Sequence, residues 1–143
     1  MIDSYSGNYT TAQGTAVATL MRYVGQAEKM MYGTYSAGGS GISADNAQDI
    51  VDMYKFFGYD ETTTRLVKLT NSYYSSTKNY TDAEWGGMIQ TEILAGRPIV
   101  FMAISSSAGG HAFNVDGYRT DGYYHVNFGW SGDGNAWCAL NSF

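Results

Sequence analysis

The sequence predicts an α+β fold, helices first and an antiparallel sheet last, on three observations. Apolar residues recur at helical spacing early in the chain, where Val17, Leu20, Met21 and Val24 stand at i, i+3, i+4 and i+7. Beyond the single proline, Pro98, the pattern shortens to brief apolar runs separated by Gly, Ser and Asp. The composition agrees, since 18 glycines and 13 tyrosines favour turn-rich antiparallel structure. With 143 residues, no internal repeat and no linker, the chain reads as a single domain over 1–143.

In order along the chain, residues 11–24 read as an amphipathic helix stopped by Gly25. Residues 27–32 are a short strand candidate, followed by a small-residue loop with Gly33, Gly38, Gly39 and Gly41. Such a loop lets a ligand approach the backbone closely, although most glycine-rich loops are plain connectors. A second helix is expected over 44–57, capped by Ser43, with Ala47, Ile50, Val51 and Tyr54 inward and Gly58 ending it. Residues 65–69 read as a strand. Thr81 and Glu84 then form a capping box ahead of Trp85, Met88, Ile89 and Ile93, a helix that ends at Gly96. Four short strands complete the chain, over 99–104, 111–117, 122–127 and 136–140.

Charge and motifs exclude several functions. A net charge of -5 is the wrong sign for neutralising phosphates or anionic lipid, so neither nucleic acid nor a membrane surface is an expected partner. The apolar runs, such as 99–104, are far shorter than the roughly 20 residues of a membrane helix, and no signal segment stands at Met1. One cysteine, Cys138, cannot make an internal disulfide. With two histidines and no HExxH, CxxC, calcium-loop or phosphate-loop pattern, no metal and no cofactor is expected.

The sharpest local feature is Gly109, Gly110, His111, Ala112 and Phe113, where two glycines open the backbone ahead of a histidine that starts a strand. The partner strand ends at Asn127, followed by Phe128, Gly129, Trp130 and Ser131. An imidazole held by an amide under an aromatic lid is suited to act as a general base. A regular hairpin closed by Gly117 and Gly122 would set His111 opposite Phe128 and Asn127 opposite Ala112, so that Asn127 reaches the imidazole only across a bulge. Cys138 reads as a buried, inert strand residue, because reactive thiolates usually sit at helix N-termini beside a cation. Ser105, Ser106 and Ser107 lack an activating frame.

The runs GGHAFNVDGY and YYHVNFGWSGDG resemble the His and Asn region of the streptopain family, papain-like cysteine peptidases of bacteria. Earlier landmarks keep the same order: YSG at Tyr5 to Gly7, Leu20 and Met21 followed by Val24 and Gly25, MYG at Met31 to Gly33, FGY at Phe57 to Tyr59, and RPIV at Arg97 to Val100. The resemblance implies a papain-like fold, of which this chain is the C-terminal half. It makes His111 the catalytic histidine and Asn127 its asparagine. Phe128 stands where the family has a tryptophan, so the indole N–H has no substitute, while Trp130 keeps the next one. Gly110 matches the residue whose backbone meets the substrate, and Ser36, Ala37, Gly38 and Gly39 match a loop lining the cleft.

In this family the nucleophilic cysteine precedes the YSG landmark, and the chain begins after it. A second registration would lay residues 12–23 over the cysteine helix with Ala12 replacing the cysteine, but the YSG, Leu-Met and Val-Gly spacings match without gaps only in the first. The implied role is the C-terminal half of a secreted cysteine endopeptidase, active outside the cell or in the periplasm. Its expected partners are an N-terminal half carrying the cysteine and a protein or peptide substrate. An apolar patch left by the missing half would also allow self-association. Two other classes stay in view: a non-catalytic peptide-binding module, and a Gly- and Tyr-rich structural or carbohydrate-binding protein that would not need the His111 and Asn127 arrangement.

Overall fold

A computed structural model describes residues 8–43, 47–70, 75–105 and 109–139. Helix α1 spans Thr11–Ala27, α2 Ala47–Phe56 and α3 Asp82–Leu94. Strands β1 (Ile99–Ser105), β2 (Gly109–Tyr118), β3 (Tyr123–Asn127) and β4 (Ala136–Ala139) follow, so the helices-then-strands order expected of the sequence holds. The chain divides into two compact units, Met1–Val67 and Lys68–Phe143.

In the first unit, Thr10 caps α1 and the Gln13 side chain returns to the Thr10 backbone, a reciprocal capping box. The inward face of α2 carries Ala47, Ile50, Val51 and Met53, whereas Tyr54 is only half-buried. Of the α1 stripe, Val17, Leu20 and Val24 are half-buried and Met21 is exposed. Lys29 Nζ reaches Asp49 at 2.8 Å and ties the end of α1 to α2.

Gly25 does not stop α1. It is buried inside the last turn, where a Cβ would stand 1.9 Å from the Tyr32 hydroxyl oxygen. The helix instead ends in a Schellman motif, with Met30 N–H donating to Gly25 O, Lys29 N–H to Gln26 O, and Lys29 itself left-handed at φ 55°. Helices α2 and α3 end the same way, on Gly58 (φ 83°) and Gly96 (φ 73°). The strand expected over 27–32 is therefore the helix end followed by one bridge, Met31 to Gly41. The strand expected over 65–69 also forms no ladder; Leu69 and Lys68 carbonyls accept from the backbone and side chain of Asn79 beside a single Thr70 to Lys78 bridge. Residues 44–46, the expected start of α2, lie outside the described residues, as does residue 140 at the end of β4.

The second unit is a four-stranded antiparallel sheet in the order β1-β2-β3-β4, with α3 packed on one face. Thr81 and Glu84 form the expected capping box, and bonds from the Thr81 backbone and hydroxyl hold the Glu84 carboxyl below its ordinary pKa. Alternation along β2 turns Phe113 and Val115 inward, and β3 turns inward Val126, opposite Val115, and Tyr124, opposite Tyr118. With Ile89 of α3 these residues form the core, and Val115 and Val126 are fully buried. Each fully buried aliphatic side chain of this size contributes about 1.5–3 kcal/mol. Tyr124 adds a polar tie to the helix, its hydroxyl donating to Gly86 O at 3.2 Å, and burial raises its pKa.

Candidate active site

The β2–β3 hairpin departs from the regular register. Asn114 pairs with Asn127 and Val115 with Val126, then the register shifts past Asp116 so that Gly117 pairs with His125 and Tyr118 with Tyr124. The turn is closed by Gly122 N–H to Arg119 O and Arg119 N–H to Tyr123 O, with Gly122 at φ 89°, rather than by a Gly117–Gly122 pair. Asn127 consequently lies opposite Asn114 and not Ala112. Opposed residues share a face, so Asn127 is on the sheet face away from His111.

His111 stands on the core face of β2, at the end where β3 has already given way to the loop after Asn127. That loop folds over the imidazole. The Trp130 ring lies 4.9 Å from it, centroid to centroid, Phe128 6.1 Å and Phe113 6.2 Å. Phe128 and Trp130 stack on each other at 5.1 Å, and the row continues inward through Phe113, Phe101 and Trp85. His111 is thus mounted on a packed aromatic base yet remains partly exposed.

The partner of the imidazole is a backbone group. His111 Nε2 lies 3.0 Å from the Phe128 carbonyl oxygen. A carbonyl can only accept, so Nε2 carries the proton, and in the neutral ring the lone pair belongs to Nδ1. The Asn127 side chain, expected to hold the ring, turns back on its own loop instead, where its Oδ1 accepts from Gly129 N–H at 2.9 Å. Asn135 Oδ1 accepts from Phe128 N–H at 3.2 Å. Nothing in the sequence pattern singled out Asn135 or the Phe128 carbonyl, because a backbone acceptor carries no residue signature.

The remaining candidates are distributed as follows. Gly110 is exposed on β2 opposite Ile104. Ser36, Ala37, Gly38 and Gly39 belong to the first unit, in and after the 3-10 turn Tyr35–Ala37. Ala37 and Gly39 N–H groups both donate to Thr34 O, and Gly38 and Gly39 take left-handed φ of 92° and 81°. Glycine is needed at Gly33 for a separate reason, since a Cβ there would meet the Gly39 carbonyl oxygen at 2.4 Å. Cys138 is half-buried rather than buried, packed against the core opposite Tyr124. Tyr124 in turn pairs with Tyr118, seven residues along β2 from His111, which is on the order of 20 Å of strand. Cys138 is therefore out of reach of that imidazole. Among the described residues no group of His, Cys, Asp and Glu could hold a metal ion, and no helix is long and apolar enough to cross a membrane.

Known proteins match nearly the whole length of this chain. Streptopain of Streptococcus pyogenes is 27% identical over 142 residues, which are 99% of this chain and 32% of that protein. The structure of active interpain A, a cysteine protease of Prevotella intermedia, superposes with a TM-score of 0.72 at 34% identity, over 98% of this chain and 53% of that one. A prointerpain A fragment in which a cysteine is mutated to alanine gives the same TM-score of 0.72 at 35% identity, over 99% of this chain and 40% of that one. The chain thus spans about a third of streptopain and about half of interpain A. The α+β architecture is that of the papain-like cysteine peptidases over the matched part. The sequence model of the Peptidase C10 family matches residues 1–138, and the chain belongs to that family.

Proposed function

We propose that this chain is the C-terminal half of the catalytic domain of a secreted cysteine endopeptidase, supplying the base and part of the substrate cleft to a cysteine carried by an N-terminal half. The observation that carries the reading is the bond from His111 Nε2–H to Phe128 O, which leaves Nδ1 as the proton acceptor beneath an aromatic cover. In the reaction Nδ1 takes the thiol proton, the thiolate adds to the peptide carbonyl carbon, and the imidazolium gives the proton to the amine as the C–N bond breaks. Nδ1 then takes a proton from water, whose oxygen displaces the thiolate from the thioester and releases the carboxylic acid. Both ring nitrogens carry protons in the imidazolium, so the bond to Phe128 O survives the transfer. Gly110 and the loop of Ser36, Ala37, Gly38 and Gly39 are proposed to meet the substrate backbone, and Phe128 and Trp130 to wall the site. Asn127 acts on His111 through the loop rather than by direct contact. The substrate is a protein or peptide, and the site of action is extracellular or periplasmic.

The test is cleavage of an unstructured peptide by this chain alone, by the chain with the N-terminal half, and by the same pair with the cysteine changed to alanine. Activity is expected only from the intact pair, with His111→Ala abolishing it. Thiol-reagent-sensitive activity from the chain alone would overturn the reading, and an intact pair that binds peptide without cleaving it would favour a recognition module.

A further inference from the structure

We infer that Asn135 is a positioning residue for His111, acting with Asn127 to clamp Phe128 so that its carbonyl stays on Nε2. Phe128 lies between two peptide planes, and a side-chain amide holds each. The plane before it is fixed by Phe128 N–H donating to Asn135 Oδ1 at 3.2 Å. The plane after it carries both the Phe128 carbonyl and Gly129 N–H, and the latter donates to Asn127 Oδ1 at 2.9 Å. Because a trans peptide is rigid, fixing Gly129 N–H also fixes the direction of the Phe128 carbonyl, which points at His111 Nε2, 3.0 Å away. One plane alone leaves the carbonyl free to swing about the Phe128 backbone dihedrals; holding both removes that freedom.

The surroundings make such a clamp necessary. Phe128 follows the last residue of β3, so no ladder bond orients it. The loop behind it turns through left-handed Gly129 (φ 78°) and Ser131 (φ 55°) before returning to β4. Asn135 stands immediately before Ala136, the first residue of β4, and so anchors the loop to the sheet at the point where the chain comes back. It is half-buried, which shields the bond from water.

The catalytic consequence rests on the peptidase reading, but the clamp is measurable without it. The chain has two histidines, His111 and His125, so nitrogen-15 labelling of the imidazoles gives two ring systems whose tautomers are read directly by NMR. In the unaltered chain His111 is expected as the Nε2–H tautomer. Asn135→Ala should shift its tautomer ratio toward Nδ1–H by about fivefold, the factor that corresponds to one net hydrogen bond. Asn135→Asp keeps the acceptor oxygen and should retain the Nε2–H form. His125, bonded through Nδ1 to Asp116, should not change in either variant and reports that the sheet is intact. An unchanged His111 tautomer in Asn135→Ala overturns the inference, and so does loss of the Nε2–H form in both variants. A longer gene product that cleaves nothing, in the presence of the expected tautomer shift, would count against the peptidase reading and leave the clamp standing.

Discussion

His111 and His125 sit on adjacent strands of one sheet, on opposite faces, and they are held differently. His125 Nδ1 lies 2.6 Å from the Asp116 carboxylate, with the Trp137 ring 5.3 Å away and Arg119 stacked against that same indole. Among the described residues the hydrogen-bond partner of the His111 ring is a neutral carbonyl. Judged by its partner alone, the carboxylate-paired histidine is the stronger candidate for acid–base chemistry. Its setting argues otherwise. Asp116 is the residue extruded by the β2 bulge, and the pair lies on the face away from the core, where it satisfies the extruded carboxylate. His111 adjoins two exposed glycines that open the backbone, and the loop that covers it bonds Nε2 and leaves Nδ1 to accept a proton. A tight His–carboxylate contact is thus no guide to function until the face of the sheet that bears it is known.

The largest effect should come from exchanging the two histidines separately in the longer protein. His111→Ala is expected to lower kcat/KM by about 10²–10⁴-fold, the range typical of a lost general base. His125→Ala should leave it within a few-fold. Equal losses would erase the distinction between the faces. Next, Val115→Ala, in the core of the sheet in a position with no exposure, should cost about 2–3 kcal/mol of stability in urea unfolding. A loss near zero would mean that the face bearing His111 is not the one that packs the core.

Gly117→Ala sharpens the comparison, since its Cβ would stand 2.9 Å from His125 Cβ and 3.2 Å from Trp137. Overpacking of this kind typically costs about 1–3 kcal/mol. The Trp137 and His125 signals should move while the His111 tautomer holds. The smallest effect concerns pH. Glu84 has a lowered folded pKa, so its contribution to stability is present above the ordinary carboxylate pKa and is lost as pH falls through the folded value. Glu84→Gln should therefore narrow its stability difference from the parent between about pH 6 and about pH 3. A difference that widens on acidification would reverse the assigned sign.

How much of this was legible in the sequence depends on the kind of interaction. The Thr81 and Glu84 box is written in side chains three residues apart and was readable, as was the strand-rich end of the chain. The end of α1 was not, because the left-handed residue of its Schellman motif is Lys29, while Gly25 serves a close approach to Tyr32. The two missing strands failed because an extended segment needs a partner: among the described residues 27–32 meets one bridge, at Met31, and 65–69 has none of its own, the Thr70 to Lys78 bridge lying just past it. The aromatic neighbours of His111 follow from residue types near it in the hairpin. Its orienting bond does not, since even with the bulge at Asp116 the Asn127 side chain stays on the face away from His111, and a main-chain oxygen takes its place.

The most direct test of the central claim, that His111 is the base for a cysteine outside this chain, is the pH dependence of alkylation of that cysteine in the longer protein. A thiol paired with His111 should react as a thiolate well below the ordinary cysteine pKa of about 8.5. His111→Ala should return the profile to that ordinary range, and His125→Ala should leave it unchanged. A profile that is already ordinary in the parent, or that does not move in His111→Ala, would contradict the account.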